Sequence, residues 1–404
     1  HVGEMNFRDK ALFLGYMVKE MLRVYTKEIK PTDRDSFKCK RVEVTGSLIY
    51  DLFKEYLVLQ QRNIFQKIDK EYYYKQGIYS KNFIGLIESN YKEFFSERIV
   101  EEGFRKAFKG NWGAEAHTKR IGVLQDLNRL NYNSALSQLR KINLPLDASA
   151  KVRGPRNIHS SQWGIIDPFD SPDGGNVGLH KHLAICTTNS IQMSIKDLIV
   201  WMRENAKLMY LNENNNNQLF NLSKVFINGN WVGVIEYPIE TIDLFKLYRA
   251  NGLIPPYTSI RFNHQENEIQ IFSDAGRLLR PIFYKDYKQK ISFDRKNILE
   301  MIENNKYSWI NAISGFQNNQ NSVLNNKLVN YNDLYKVSKE NLIDFLYENG
   351  SVIQYIDTNE EESALIANNM EQLNKNKLYT HLEIHGSLIL GVMGNSVIFP
   401  ENNQ

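Results

Sequence analysis

A chain of 404 residues is too long for one compact core, and 42% hydrophobic, 24% charged and 12% aromatic residues is the composition of an ordinary globular protein, which argues against disorder. Length alone suggests roughly two to four domains. No apolar run approaches the ~20 residues of a membrane span, since even residues 388–399 are broken by Gly391, Gly394, Asn395 and Ser396. With no signal-like apolar opening segment, the expectation is a soluble intracellular protein. The two cysteines, Cys39 and Cys186, have no Cys or His neighbours at metal-finger spacing and support neither a disulfide framework nor a structural zinc site.

The net charge of +4 gains meaning when it is distributed along the chain. Residues 119–156 hold eight cations (Lys119, Arg120, Arg129, Arg140, Lys141, Lys151, Arg153, Arg156) against Asp126 and Asp147, a local +6 in a chain whose remainder sums to −2. Such a stretch is the electrostatic footprint of a phosphate-bearing partner, with a solvated helix face as the alternative. The chain opens on His1 and closes on FPENNQ with neither a helix stop nor a polar tail, and is expected to be an internal piece of a longer protein.

In chain order, ALFLGYMVKEMLRVY (residues 11–25) is apolar at helical spacing and is stopped by Pro31-Thr32-Asp33. DRDSFKCKRVEVTG follows, and residues 48–108 read as several amphipathic helices with charged faces. After GNWG (residues 110–113) comes IGVLQDLNRLNYNSALSQLRKINLP, then KVRGPRNIHSSQWGIIDPFDSPDGGNVGLHKHLA (residues 151–184), where cations, acids and glycine turns crowd together. From Thr187 the chain turns to Asn-rich loops and short strands, with Asn214 to Asn217 a low-complexity tract expected to be a flexible insertion. VFINGNWVGV (residues 225–234) reads as two strands about an Asn-Gly turn. IQIFSDAGRLLRP, QYIDTNEEES and YTHLEIHGSLILGV follow before FPENNQ.

These motifs, in this order, resemble the second-largest subunit of multisubunit DNA-directed RNA polymerases, in the wording of eukaryotic, archaeal and large-DNA-virus subunits. Pro155, Arg156, His159, Trp163, Gly164, Pro168, Asp170, Ser171, Pro172, Asp173, Gly174, Gly178 and Leu179 fall in register with that family's fork without a gap. Asp33, Arg34, Asp35, Lys40, Arg41, Glu43 and Gly46 match its "DRD…KR" crossing, and Gln125, Asn128, Arg129, Tyr132, Ser134, Leu136, Ser137, Leu139, Arg140 and Pro145 its "GVxQxLNR…" segment. Departures are mild: Asp170 and Asp173 stand where the family has Glu, Ser171 where it has Thr, Asp167 where it has Cys, Gly386 for Pro and Asn402 for His. Lys141 for the family's second Arg keeps the charge and loses bidentate geometry.

The resemblance implies an α+β multidomain fold: end of the lobe (1–41), returning protrusion (42–110), fork (111–190), external domains (191–310 and 311–378) and the start of the hybrid-binding domain (379–404). It implies a part in transcription as a subunit fragment that is inactive alone, a nucleotidyltransferase only in assembly. The largest and smaller polymerase subunits, template DNA and the RNA–DNA hybrid would be its partners, with Mg²⁺ held by the largest subunit and no membrane involved. The compartment would be the nucleus, or the cytoplasm or virion for a viral enzyme. A non-catalytic nucleic-acid-binding module derived from such a subunit is the alternative.

Residue by residue, the resemblance places Gln125, Arg156, Asp170 and Asp173 near the active centre, and Arg129, Arg140, Lys141 and Lys151 along the nucleic-acid path. Paired acids suggest acid–base work or metal binding. The family's metal carboxylates lie on the largest subunit, so Asp167, Asp170 and Asp173 are expected to order cations and mobile elements instead. Residues 146–152 (LDASAKV) align with the family's second fork loop and lack its Arg between glycines, so the loop is expected to be stiffer. His381, Glu383 and His385 alternate on one strand face like a zinc ligand set; the family carries no metal there, and a hydrogen-bonding role is expected. A hydrolase built on His159 and the Asp cluster is a more distant reading, without a Ser or Cys nucleophile signature to support it.

Overall fold

The structure, a computed structural model, describes residues 6–79, 82–213, 219, 221–286, 289–303, 307–315 and 342–402; the Asn214 to Asn217 tract lies outside these. No described helix is long and apolar enough to cross a membrane. Packing divides the chain into two compact units, Glu43–Asn131 and the combination of His1–Val42 with Tyr132–Gln404.

The chain enters the larger unit through α1 (Phe7–Tyr25), N-capped by Asn6 and carrying Arg23 in its last turn. The smaller unit is helical: α2 (Thr45–Tyr74), the single turn α3 (Gln76–Tyr79), α4 (Phe83–Phe94) and α5 (Ile99–Ala107). Its core is Leu52 and Tyr56 of α2 against Ala107 and Trp112. Gly103 lets α5 lie on the Tyr56 ring, which a Cβ there would meet at 2.4 Å. The GNWG motif closes the unit: Trp112 is buried, and Gly113 adopts φ 98° with no room for a Cβ beside the Thr118 carbonyl. Glu55 accepts from the N–H groups of Ala114 and Glu115 at 3.0 and 3.2 Å.

In the larger unit α6 (Tyr132–Leu139) leads into β1 (Lys141–Asn143), which pairs antiparallel with β2 (His180–His182). After β3 (Thr188–Asn189) and α7 (Ile195–Ala206) comes a five-stranded sheet in the order β4-β6-β5-β8-β7, from Met209–Tyr210, Asn230–Ile235, Ser223–Ile227, Glu268–Phe272 and Ser259–Asn263. The expected hairpin is β5–β6, with Asn228 at φ 49° and Gly229 at φ 79°, the left-handed pair that a two-residue turn of matching twist needs. Leu198 and Met202 of α7 and Phe245 of α8 (Pro238–Ala250) pack on Val225, Ile227, Ile269 and Ile271.

The second sheet is β10 (Ile353–Asp357), β9 (Leu278–Tyr284), β12 (His381–Leu382) and β11 (Ile366–Ala367), with β3 also on β9. Helices α9 (Lys296–Glu303), α10 (Trp309–Ser314) and α11 (Leu342–Glu348) follow β9, and α12 (Thr358–Glu361) and α13 (Met370–Lys375) follow β10. The expected run of alternation through His385 is shorter than the pattern suggested. β12 holds two residues, after which His385 caps a 3-10 turn through Ser387, so it leaves the face that His381 and Glu383 share.

An array of ion pairs, buried except at the half-exposed Glu362, joins these layers. Arg249 of α8 clamps Glu360 at 2.8 and 2.7 Å. Arg277 meets Asp357 at 3.2 Å, Arg280 holds Glu361 at 2.7 Å and Glu383 at 2.8 Å, and Arg261 of β7 pairs with Glu362. Burial works to raise the Glu360 carboxyl, and the Arg249 guanidinium overcomes it and holds that group below the usual range. Glu361 is pushed up to about 7 by burial, which its share of Arg280 does not offset. Because an uncompensated buried charge is the costly state, Arg249→Met is expected to lower unfolding free energy by about 3–5 kcal/mol, while Arg249→Met with Glu360→Leu recovers most of it. Denaturant titration of the two variants beside the parent checks this.

Candidate functional site

The turn region that the sequence singles out is held by Arg156. Its Nη1 donates to the carbonyls of Gly175 and Val177 at 2.7 and 2.9 Å, and its Nη2 to those of Ala148 and Ala150 at 3.0 and 3.1 Å. A planar fork of donors is the side chain suited to gather four carbonyls from two loops. Gly178 completes the clip: it sits at φ 69°, and a Cβ would lie 2.2 Å from the Arg156 carbonyl oxygen. Arg156 is therefore a positioning residue for the 147–152 loop, whose own turn is made by Asp147 accepting from Ser149 N–H at 3.0 Å.

The three acids have three different environments. Asp167 is buried; Oδ1 accepts from Phe169 N–H at 3.0 Å and Oδ2 from Gly391 N–H at 2.8 Å, which ties the turn to the segment after β12. Gly391 and Gly394 are required there, since a Cβ at either would stand 2.7 or 2.4 Å from Asp167 Oδ2. Asp170 accepts from Ser137 Oγ at 3.2 Å and lies 3.2 Å from His182 Nδ1. Asp173 is exposed at the start of the Gly174–Asn176 turn, with no side-chain cap bond. The three carboxylates do not converge, and among the described residues no three His, Cys, Asp or Glu side chains form a metal-holding group. The residues present do not fit a catalytic magnesium site.

His159 is drawn inward to the DRD segment, with Nε2 2.8 Å from Asp33 Oδ2 and Nδ1 2.7 Å from Ser161 Oγ. The Asp35 N–H and then His159 hold the Asp33 carboxyl below its usual range. Ser161 Oγ in turn accepts from Phe37 N–H at 2.9 Å.

The cations separate into committed and open ones. Arg140 points inward: Nη2 donates to the Ala184 and Thr187 carbonyls at 2.7 and 2.8 Å, and burial lowers its pKa. The half-buried guanidinium thus spends Nη2 on the chain's own carbonyls, while its Nε is buried without a hydrogen-bond partner. Lys141 is half-buried in β1, while Lys151 and Arg153 are exposed with no ion pair among the described residues. Gln125 and Arg129 belong to the smaller unit, both exposed, with Gln125 Nε2 donating to Gly122 O at 3.1 Å. Sequence reasoning missed Lys181, buried in β2 with its pKa lowered by burial and by Lys40; its position between two histidines in a short strand was the available signal.

Residues 125–188 match the family described as RNA polymerase Rpb2, domain 3, and residues 225–286 match RNA polymerase Rpb2, domain 4. Over 100% of its length the chain is 31% identical to DNA-directed RNA polymerase II subunit RPB2 of Encephalitozoon cuniculi, covering 32% of that protein. Along its whole length the chain is similar to second-largest subunits of DNA-directed RNA polymerases. It is 29% identical over 98% of its length to DNA-directed RNA polymerase subunit 2 of Acanthamoeba polyphaga mimivirus, and 27% identical over 100% to RNA polymerase III subunit RPC2 of Drosophila melanogaster. In each case it spans 32% of the relative.

The clip makes a local prediction. Arg156→Lys keeps the charge and loses the planar fork, and Gly178→Ala forces a Cβ against the Arg156 carbonyl. Both variants are expected to speed amide hydrogen exchange at residues 147–152 and 174–178 by about tenfold or more, with the β5–β6 hairpin unchanged. Exchange mass spectrometry resolves the two regions; uniform exchange in both variants means the clip does not order the loop.

Proposed function

We propose that this chain forms, with the largest polymerase subunit, part of the active-centre cleft for template-directed RNA synthesis, and that it works there by positioning nucleic acid. The observation that carries this reading is the similarity to second-largest subunits along the whole chain. Nucleotide addition requires in-line attack of a 3′ hydroxyl on a triphosphate between two metal ions. Asp167 is bound by backbone N–H groups and Asp170 by Ser137 and His182, so these two carboxylates are engaged within the chain. In this reading the magnesium ions sit on the largest subunit, and the smaller subunits, template DNA and the RNA–DNA hybrid are the other partners.

Arg129, Lys141 and Lys151 would then neutralise phosphates, which fixes a strand without reading its bases. Arg140 and Arg156 would act through the backbone they hold, Gln125 and Asp173 would face neighbouring elements near the active centre, and Asp170 would order His182. The enzyme would work in a nucleus, or in cytoplasm or virion if viral.

Primer extension on an RNA–DNA scaffold with magnesium or manganese tests the assignment. The isolated chain is expected to add no nucleotide, and an assembly of the full subunit with its larger partner to extend the primer. Arg156→Ala in that assembly is expected to slow extension without preventing assembly. Extension by the chain alone, or parent-like extension by the variant, contradicts the proposal. The positioning role has its own signature: if about three phosphates are neutralised, log affinity of the isolated chain for nucleic acid should fall against log salt with a slope of about −2 to −3. A flat salt response removes the electrostatic part.

A further inference from the structure

The larger unit contains a second polar site, remote in sequence from the 147–178 turns. A cavity of about 420 Å³ opens between α8, the turn before β10, and the ends of β9 and β12. That volume falls within the range of small-molecule pockets. Its floor follows from strand register. Gln354 of β10 is opposite Ile282, and His381 of β12 is opposite Tyr284, so Gln354, Tyr284 and His381 share one face of the sheet.

Two of these floor residues are polar, nearly fully buried and incompletely bonded. Gln354 is 6% exposed, and its amide makes no hydrogen bond among the described residues. His381 is 7% exposed; Nδ1 meets Thr380 Oγ at 2.7 Å, and the other ring nitrogen has no partner among the described residues. The unbonded polar atoms of both residues are open to the cavity rather than sealed, and so can bond a molecule that enters it. Burial, aided by Lys246, Arg249 and Arg280, pushes the imidazole down to about 3, so it presents a neutral ring to the cavity.

The walls carry charge. Lys246 lies 3.8 Å from Glu360, which is already clamped by Arg249; Lys285 reaches one carbonyl, Leu373 O, at 3.5 Å. Arg295 donates from Nη1 to Gly350 O at 3.0 Å and from Nη2 to Tyr284 Oη at 3.3 Å, so its guanidinium is held at the cavity wall. Of the opposing acids, Asp286 accepts from Lys290 N–H at 2.9 Å, and burial raises the Asp243 carboxyl against the pull of Lys246.

We propose that this cavity binds a small organic anion, its phosphate or carboxylate group held by Lys246, Lys285 and Arg295 and its uncharged part bonded by Gln354 and His381. The site is distinct from the cleft-facing cations, and its test does not depend on polymerase activity.

Calorimetric titration of the purified chain at low ionic strength, with adenosine monophosphate, citrate and uncharged adenosine as probes, decides the matter. At least one of the two anions is expected to bind saturably and adenosine not to bind; which anion binds distinguishes phosphate from carboxylate. Lys285→Met and, separately, Gln354→Leu are expected to weaken that binding about tenfold or more, and Lys151→Met to leave it unchanged. Lys246→Met, a partly exposed position, serves as a second cationic variant if Lys285→Met does not fold. No saturable binding of either anion up to about 10 mM, a range corresponding to only a few kcal/mol, overturns the proposal. So does binding that the pocket variants leave intact, or that Lys151→Met abolishes.

Discussion

Four of the six residues from Asp357 to Glu362 are acids paired with four different arginines, and the larger unit is organised around them. Arg249 comes from the helix packed on the first sheet, Arg261 from that sheet's edge strand, Arg277 from the residue before β9, and Arg280 from within β9. One short acidic turn therefore fixes two sheets and a helix in mutual register. A buried pair of charges gains little over well-packed apolar side chains, but a mismatched pair is strongly unfavourable. The array thus contributes through the arrangements it disfavours: a one-residue slip of β10 on β9 would place Asp357 and its arginine on opposite faces.

From this array a chain of close contacts runs to the turn region. Gly164 at φ 66° leaves no room for a Cβ above the Arg280 guanidinium, which would lie 2.2 Å away. Beyond it, Asp167 binds the backbone at Gly391, and Arg140 binds the carbonyls of Ala184 and Thr187. Gly164 and Gly391 are positions where a motif glycine is required by an approaching neighbour, so part of the family pattern is explained by packing around the array.

Local signals were legible in the sequence wherever one residue type has one conformational use. The Asn228-Gly229 turn, the amphipathic α1 and the helices of residues 48–108 all appear as read, because periodicity and left-handed turn residues act over a few positions. The direction of long side chains was not legible. Arg140 and Lys151 look alike as positive charges in a basic stretch, yet one is spent on buried carbonyls and the other stands in solvent. Charge is a property of the residue, and commitment is a property of the fold around it. The ion-pair array was missed for the same reason, although two arginines within and just before an otherwise apolar strand, and acids beside the apolar Tyr355-Ile356 pair, were its traces.

The local +6 therefore overstates the number of cations whose donors are open to a phosphate-bearing partner. Removing Arg140 and Arg156, whose donors are used on carbonyls, does not remove their charge, but it removes the short charge-assisted bonds through which most of a guanidinium's contact energy is delivered. Among the exposed cations of this stretch, Arg129 and Arg153 keep guanidinium groups and Lys151 an ammonium, a hydrated point charge. The loop that carries Lys151 is fixed by Arg156 and Asp147, so the fold sets where that ammonium stands while leaving it in solvent.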